Sequence, residues 1–314
     1  MGAQQLATRI IRGLGRRNPT LQRYLDRRTR AQFLRRGRIP MSPGYEQYRE
    51  DFIDRVLHDQ VIMERFRTGA PLPPRYGVGI DERCIEYPWL FARLPATAER
   101  LLDAGSILNH RFLIDHPTLA AKKLHILTLA PEHAAFWQRG IAYLYEDLRA
   151  IPIRDELYDT VICISTLEHV GLDASYYTRN PAHRENHPDA FVPAIQELRR
   201  VLRPGGRLYL TVPYGVPRNI GSMQVFDAAL LARAIEAFAP AHTDSTYYRY
   251  TAHGWQVAGA DACATAEYVE CYHRYNETPE SVRPAEFPRE PDLAAAARAV
   301  ACLVLAKDME AGRS

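Results

Sequence analysis

From about residue 99 to residue 308 the chain alternates short apolar runs with stretches of helical spacing or loop punctuation. That alternation restricts the fold more than any other feature. The apolar runs stand at 100–104, 124–129, 141–145, 159–164 and 207–212, and residues 245–258 and 299–308 read as two further strands. Strands separated by helical stretches form a mostly parallel sheet with helices on both faces. A helix is expected over 190–202, with Asp189 able to cap it and "RPGG" at 203–206 stopping it. Another is expected over 226–238, and the Pro-, Glu- and Arg-rich stretch 270–295 reads as an irregular insertion.

Upstream of the sheet the pattern is helical and, at first, basic. Residues 1–40 hold eleven arginines and one acid, Asp26, so the rest of the chain is net acidic although the whole carries +3. Leu6, Ala7, Ile10, Ile11 and Leu14 make an apolar stripe over 1–18, which predicts a short basic amphipathic helix. A second Arg-rich helix is expected over 20–37, a third over 45–68, and a short one after Pro88. "TGAPLPPRYGVG" at 68–79 is a Pro/Gly linker. The expected organisation is a basic helical arm over 1–44, a helical cap and linker over 45–98, and the sheet domain over 99–310. The arm is a candidate for peripheral contact with an anionic membrane or a partner protein.

Five scattered cysteines, Cys84, Cys163, Cys263, Cys271 and Cys302, follow no disulfide framework or zinc spacing. No apolar run of transmembrane length and no secretory signal pattern is present, so the expected location is the cytoplasm.

Four segments, in order, carry a family resemblance: "LLDAGS" (101–106), "YEDLRAIPI" (145–153), "YDTVICISTLEHVG" (158–171) and "ELRRVLRPGGRLYLTVPYG" (197–215). The chain resembles the class I S-adenosylmethionine-dependent methyltransferases of the methyltransferase type 11 kind. "DERCIEYPW" (81–89) and "YYRYTAHGW" (247–255) resemble a branch whose members are often similar to glycan or secondary-metabolite methyltransferases. The resemblance implies an α/β fold, a Rossmann-like seven-stranded methyltransferase sheet with helices on both faces, here with an N-terminal helical extension. It also implies S-adenosyl-L-methionine as cofactor.

In an open parallel sheet a ligand sits beyond the carboxyl ends of the strands. The first strand ends at Asp103 and Gly105. Gly105 permits close backbone approach, and Asp103, Ser106 and Asn109 are polar candidates for the cofactor. The family usually writes D-x-G-x-G, whereas this turn has a single glycine. The resemblance calls for an acid after the second strand, where Glu132 comes two or three residues late, and for Asp147 and Leu148 beside the adenine. Thr166 belongs to the fourth strand's cofactor-facing end, and His169 there is the candidate general base. No metal is expected, because Ser165 replaces the first acid of the E-x-x-E-H site seen in some relatives. The loop 171–189 offers Tyr176, Tyr177 and His183 to an acceptor, with Tyr214 after the fifth strand.

The expected function is methyl transfer to an oxygen of a small molecule or glycan. A non-catalytic binding or scaffold protein on the same fold is the alternative. An RNA methyltransferase is less favoured, since neither an Asn/Asp-Pro-Pro-Tyr stretch nor a Pro-Cys nucleophile is present.

Overall fold

The computed structural model describes residues 19–132, 134–269 and 289–309. The stripe expected over 1–18 and most of the 270–295 insertion lie outside the described residues.

Among the described residues four helices precede the sheet: α1 (Pro19–Arg35), α2 (Tyr45–Leu57), α3 (Gln60–Thr68) and α4 (Arg83–Phe91). The single helix expected over 45–68 is therefore two. Asp59 divides it, because its Oδ1 accepts the N–H groups of Val61 and Ile62 at 3.0 and 3.1 Å and starts a new helix. α4 begins before Pro88 and runs through it. Proline has no N–H for the carbonyl of Cys84 one turn back. The Tyr76 hydroxyl donates to that carbonyl instead, at 2.7 Å.

The strands are β1 (Arg100–Ala104), β2 (Lys123–Thr128), β3 (Ala142–Tyr145), β4 (Tyr158–Ile164), β5 (Leu202–Pro213), β6 (His242–Thr251), β7 (Gly254–Ala258) and β8 (Ala299–Ala306). Helix α5 (Phe191–Val201) enters β5, and α6 (Ala228–Phe238) follows it. One eight-stranded sheet results, in the order β3-β2-β1-β4-β5-β8-β6-β7. Strands β1 to β5 are parallel, whereas β8 runs antiparallel to both β5 and β6. Asp189 does not cap α5; its carboxylate pairs with Arg233 of α6 at 2.8 Å.

The strand beyond the expected seven comes from 245–258, which folds into the β6–β7 hairpin. Gly254 makes the return possible with φ +90°, and a Cβ there would stand 2.3 Å from the Tyr76 carbonyl oxygen. The hairpin is sewn to the Pro/Gly linker. Trp255 donates from its backbone to Tyr76 and from its indole to Ile80, at 2.8 and 3.0 Å, and Gly79 donates to the Tyr250 hydroxyl at 3.0 Å.

Successive strand residues face opposite layers. Leu101, Ile126, Ile162 and Tyr209 join the cluster built by α2, α3 and α4, while Leu102, Leu127, Val161 and Leu208 join the one built by α5 and α6. The helices upstream of β1 thus form one of the two layers that bury the sheet. Gly254→Ala should lower stability by about 2 kcal/mol and the thermal midpoint by roughly 4 °C, measured by circular dichroism, because both its φ and the Tyr76 carbonyl resist a Cβ.

Candidate active site at the carboxyl edge of the sheet

β1 delivers the chain to a tight turn at Gly105 (φ +129°) and Ser106 (φ +64°). A Cβ on Gly105 would stand 2.0 Å from Thr166 Oγ1, so glycine is needed for the close approach of this turn to the end of β4. Asp103 is fully buried and points into the turn. Its Oδ1 accepts Ile107 N–H at 3.1 Å and its Oδ2 accepts Leu108 N–H at 2.7 Å. Burial pushes its carboxyl up to about 7, against the pull of those two bonds.

Ser106 is 6 % exposed and its Oγ has no partner among the described residues. An orphaned buried hydroxyl on a strained turn is a rare feature, and one a ligand can satisfy. Asn109 is fully engaged. Its side-chain N–H groups donate to Glu132 Oε2 and the Ala134 carbonyl at 2.7 and 2.8 Å, and its Oδ1 accepts from the Tyr143 hydroxyl at 2.8 Å. The late acid Glu132 is thereby brought to the β1 turn. Thr166 donates its hydroxyl to the Ile164 carbonyl at 2.9 Å.

Asp147 and Leu148 follow β3. Leu148 is buried in the core, and Asp147 is gripped by Arg149, whose guanidinium also holds Glu185 at 2.6 and 2.7 Å. Burial acts to raise the Asp147 carboxyl, but the Arg149 bonds win and hold it below the ordinary range. His169 Nδ1 meets the Ser222 carbonyl at 2.7 Å, which assigns the proton to Nδ1 and leaves Nε2 the accepting nitrogen of the neutral ring. Tyr177 lies edge-on to His169 at 5.7 Å and to Tyr176 at 5.6 Å. His183 Nδ1 is buried without a partner among the described residues. Tyr214 is 3 % exposed and packs on Tyr247, so it is part of the core rather than an open wall.

Residues not singled out from the sequence complete the edge. Glu86 of α4 is fully buried, pairs with Arg83, and accepts from the Thr211 hydroxyl of β5 at 2.5 Å. Thr211 Oγ1 in turn accepts Ser165 N–H at 3.1 Å, and Ser165 Oγ donates to Glu168 Oε1 at 2.7 Å. Glu168 is 1 % exposed, and burial pushes its carboxyl up to about 8 despite the Ser165 bond. Burial also raises Glu82 and Tyr268, and Tyr268 lies within electrostatic reach of Glu82, Tyr177, Glu168 and Arg83. The available signal was "DERCIEYPW", in which charges recur one turn apart on an otherwise apolar helix. Among the described residues no three of His, Cys, Asp and Glu are placed to hold a metal ion.

The family model for a methyltransferase domain matches residues 121–210, from the approach to β2 into β5. No curated protein matches the chain. Solved structures similar to this chain include the 1,6-didemethyltoxoflavin N1-methyltransferase of Burkholderia thailandensis with S-adenosylhomocysteine bound, at 14 % identity over 68 % of this chain and 72 % of that one, TM-score 0.38. The (4+2)-cyclase SpnF matches at 16 % identity over 86 % and 98 %, TM-score 0.42, and the CurJ carbon methyltransferase at 11 % over 73 % and 54 %, TM-score 0.40.

Two predictions follow from the geometry of this edge. Gly105→Ala should weaken S-adenosylhomocysteine binding by about tenfold or more in calorimetry with the far-ultraviolet spectrum unchanged, since the turn must move off Thr166. The second concerns pH. Glu168 stays protonated to about pH 8 when folded but ionises near 4.3 in an unfolded chain. The unfolded state therefore binds fewer protons between these values, and stability falls as pH rises through the window. Glu168→Gln should flatten that fall in urea titrations run from pH 5 to pH 9.

Proposed function

We propose that this chain is a class I methyltransferase that moves the methyl group of S-adenosylmethionine to a small-molecule acceptor held beyond β4 and β5. The observation that carries this reading is the turn Gly105–Ser106, pressed against Thr166, with a buried hydroxyl awaiting a partner. Ser106, Thr166 and the Asn109–Glu132 pair would hold the nucleoside and amino-acid ends of the cofactor. Asp103 acts one step back, by fixing the backbone of 107 and 108. The bound cofactor supplies an electrophilic methyl on a sulfonium.

The chain's own work is to orient the acceptor and take its proton. His169 is suited to the second task, because its Nδ1 bond to Ser222 directs the basic lone pair to Nε2. Tyr176, Tyr177 and His183 on the loop 171–189 would frame the acceptor, and Arg149 ties that loop to the segment after β3 through Glu185. The sequence reading favours a hydroxyl oxygen of a small molecule or glycan. A non-catalytic scaffold is the second reading, and the observation in its favour is that Arg149 occupies Asp147, the acid expected at the adenine.

The four described cysteines are free and buried, which supports a reducing, cytoplasmic setting. No described helix is long and apolar enough to cross a membrane. Exposed Arg28, Arg35 and Arg36 on and just after α1 support contact of the arm with an anionic surface or partner.

Calorimetric titration of the whole chain with S-adenosylhomocysteine should give one site with a dissociation constant of about 10 μM or tighter. Asn109→Ala should weaken it by about tenfold. Absence of binding to the folded parent protein would favour the scaffold.

A further inference from the structure

The compartment between α4 and the ends of β4 and β5 has more acid than it can pair. Asp81 is matched by Arg49 at 2.6 Å, and Glu86 by Arg83. Glu82 and Glu168 have no ion-pair partner among the described residues. Glu82 Oε2 accepts the Ala297 N–H, at 3.2 Å. Glu168 Oε1 is held by the Ser165 hydroxyl, while Oε2 is buried with no hydrogen-bond partner among the described residues. Such a group costs free energy unless a polar partner reaches it. The line Glu86–Thr211–Ser165–Glu168 fixes the carboxyl in place, so the missing partner must come to it.

We propose that this compartment is the acceptor subsite of the methyl transfer and that it takes an amine, held by Glu168 Oε2. The proposal rests on the methyltransferase reading and adds the class of acceptor. An ammonium brings two or three N–H donors and one positive charge, which draws the proton off the buried Glu168 carboxyl and pairs with the carboxylate left behind. An alcohol brings one donor and no charge, so Glu168 stays neutral beside it. For transfer, the nitrogen yields one proton to the Glu168 carboxylate, which does for an amine what His169 would do for a hydroxyl. The nitrogen lone pair then forms the bond to the methyl carbon as the carbon–sulfur pair returns to sulfur.

The groups facing Glu168 are Ser165 and Cys163 from its own strand, Glu86 and Arg83 from α4, and Tyr268. In the empty protein burial keeps the carboxyl protonated to about pH 8. An ammonium at hydrogen-bond distance pulls that value down, so amine binding at pH 7 releases a proton.

The test uses the full chain saturated with S-adenosylhomocysteine and titrated with benzylamine against benzyl alcohol, and butylamine against butanol. Each is run at pH 7 in phosphate and in Tris, whose ionisation heats differ. The expected result is at least about tenfold tighter binding of each amine than of its alcohol, with a buffer-dependent heat that reports a released proton. Glu168→Gln should weaken amine binding about tenfold or more and abolish the buffer dependence, with S-adenosylhomocysteine affinity within twofold of the parent. Alcohols binding as well as amines, amines not binding at all, or a Glu168→Gln protein with amine affinity intact would each overturn the proposal while the cofactor site stands. Loss of S-adenosylhomocysteine binding by the parent protein would instead overturn both.

Discussion

The strands of the central sheet are apolar on both faces, so the sheet is stable only between two layers. Within the sheet region, the connections β1–β2 and β2–β3 contribute little more than a four-residue helix at Arg111–Ile114 and short 3-10 turns. They cannot cover one whole face. The helices before β1 do it instead. α4 accordingly buries every residue but Arg83, and Trp89 packs on Tyr209 of β5 with ring centroids 6.0 Å apart. The fold thus depends on a packing contact between segments more than a hundred residues apart in sequence.

This layer has a chemical consequence. A helix buried on all sides would ordinarily be apolar all round. α4 and its approach instead carry Asp81, Glu82, Arg83 and Glu86 into the interior, where each charge costs several kcal/mol unless paired or neutralised. Arg49 and Arg83 pair two of the acids, and Thr211 draws Glu86 to the end of β5. The same helix that completes the core therefore roofs the carboxyl edge of the sheet and sets its charge. Roof and site cannot be separated, because a change at Glu86 loosens both the α4–β5 contact and the position of Ser165 and Glu168.

The sheet was largely legible because its evidence is local. Runs such as 100–104 and 159–164 show β periodicity without reference to any partner, and five parallel strands and the helices at 191–201 and 228–238 follow from them. What escaped depends on contacts across the chain. The hairpin at Gly254 is dictated by the nearness of Tyr76, and the break of 45–68 by one aspartate choosing to cap rather than to face solvent. The site divides in the same way. Gly105, Ser106, Asn109 and Glu132 do converge, since they hang from adjacent strand ends. Tyr214 reads as a binding-site aromatic in sequence and is core in the fold, because hydropathy does not distinguish the two. Glu82 and Glu86 precede the sheet, and no spacing rule connects them to Glu168 some eighty residues on.

The single-glycine turn can be understood from the same geometry. A second glycine in such a loop gives the backbone room to bend around a ligand. Here the bend is supplied by Ser106, which adopts the left-handed region at φ +64° although it is not glycine. Asp103 stabilises that strained backbone by accepting from residues 107 and 108, which is why it is turned inward and wholly buried. The aspartate holds the turn from within, and the serine it props up keeps a buried hydroxyl without a partner among the described residues. On this view Asp103 and Ser106 act as one device. Losing either should release the turn, and the free energy stored in the left-handed serine is what a ligand at its Oγ would find already spent.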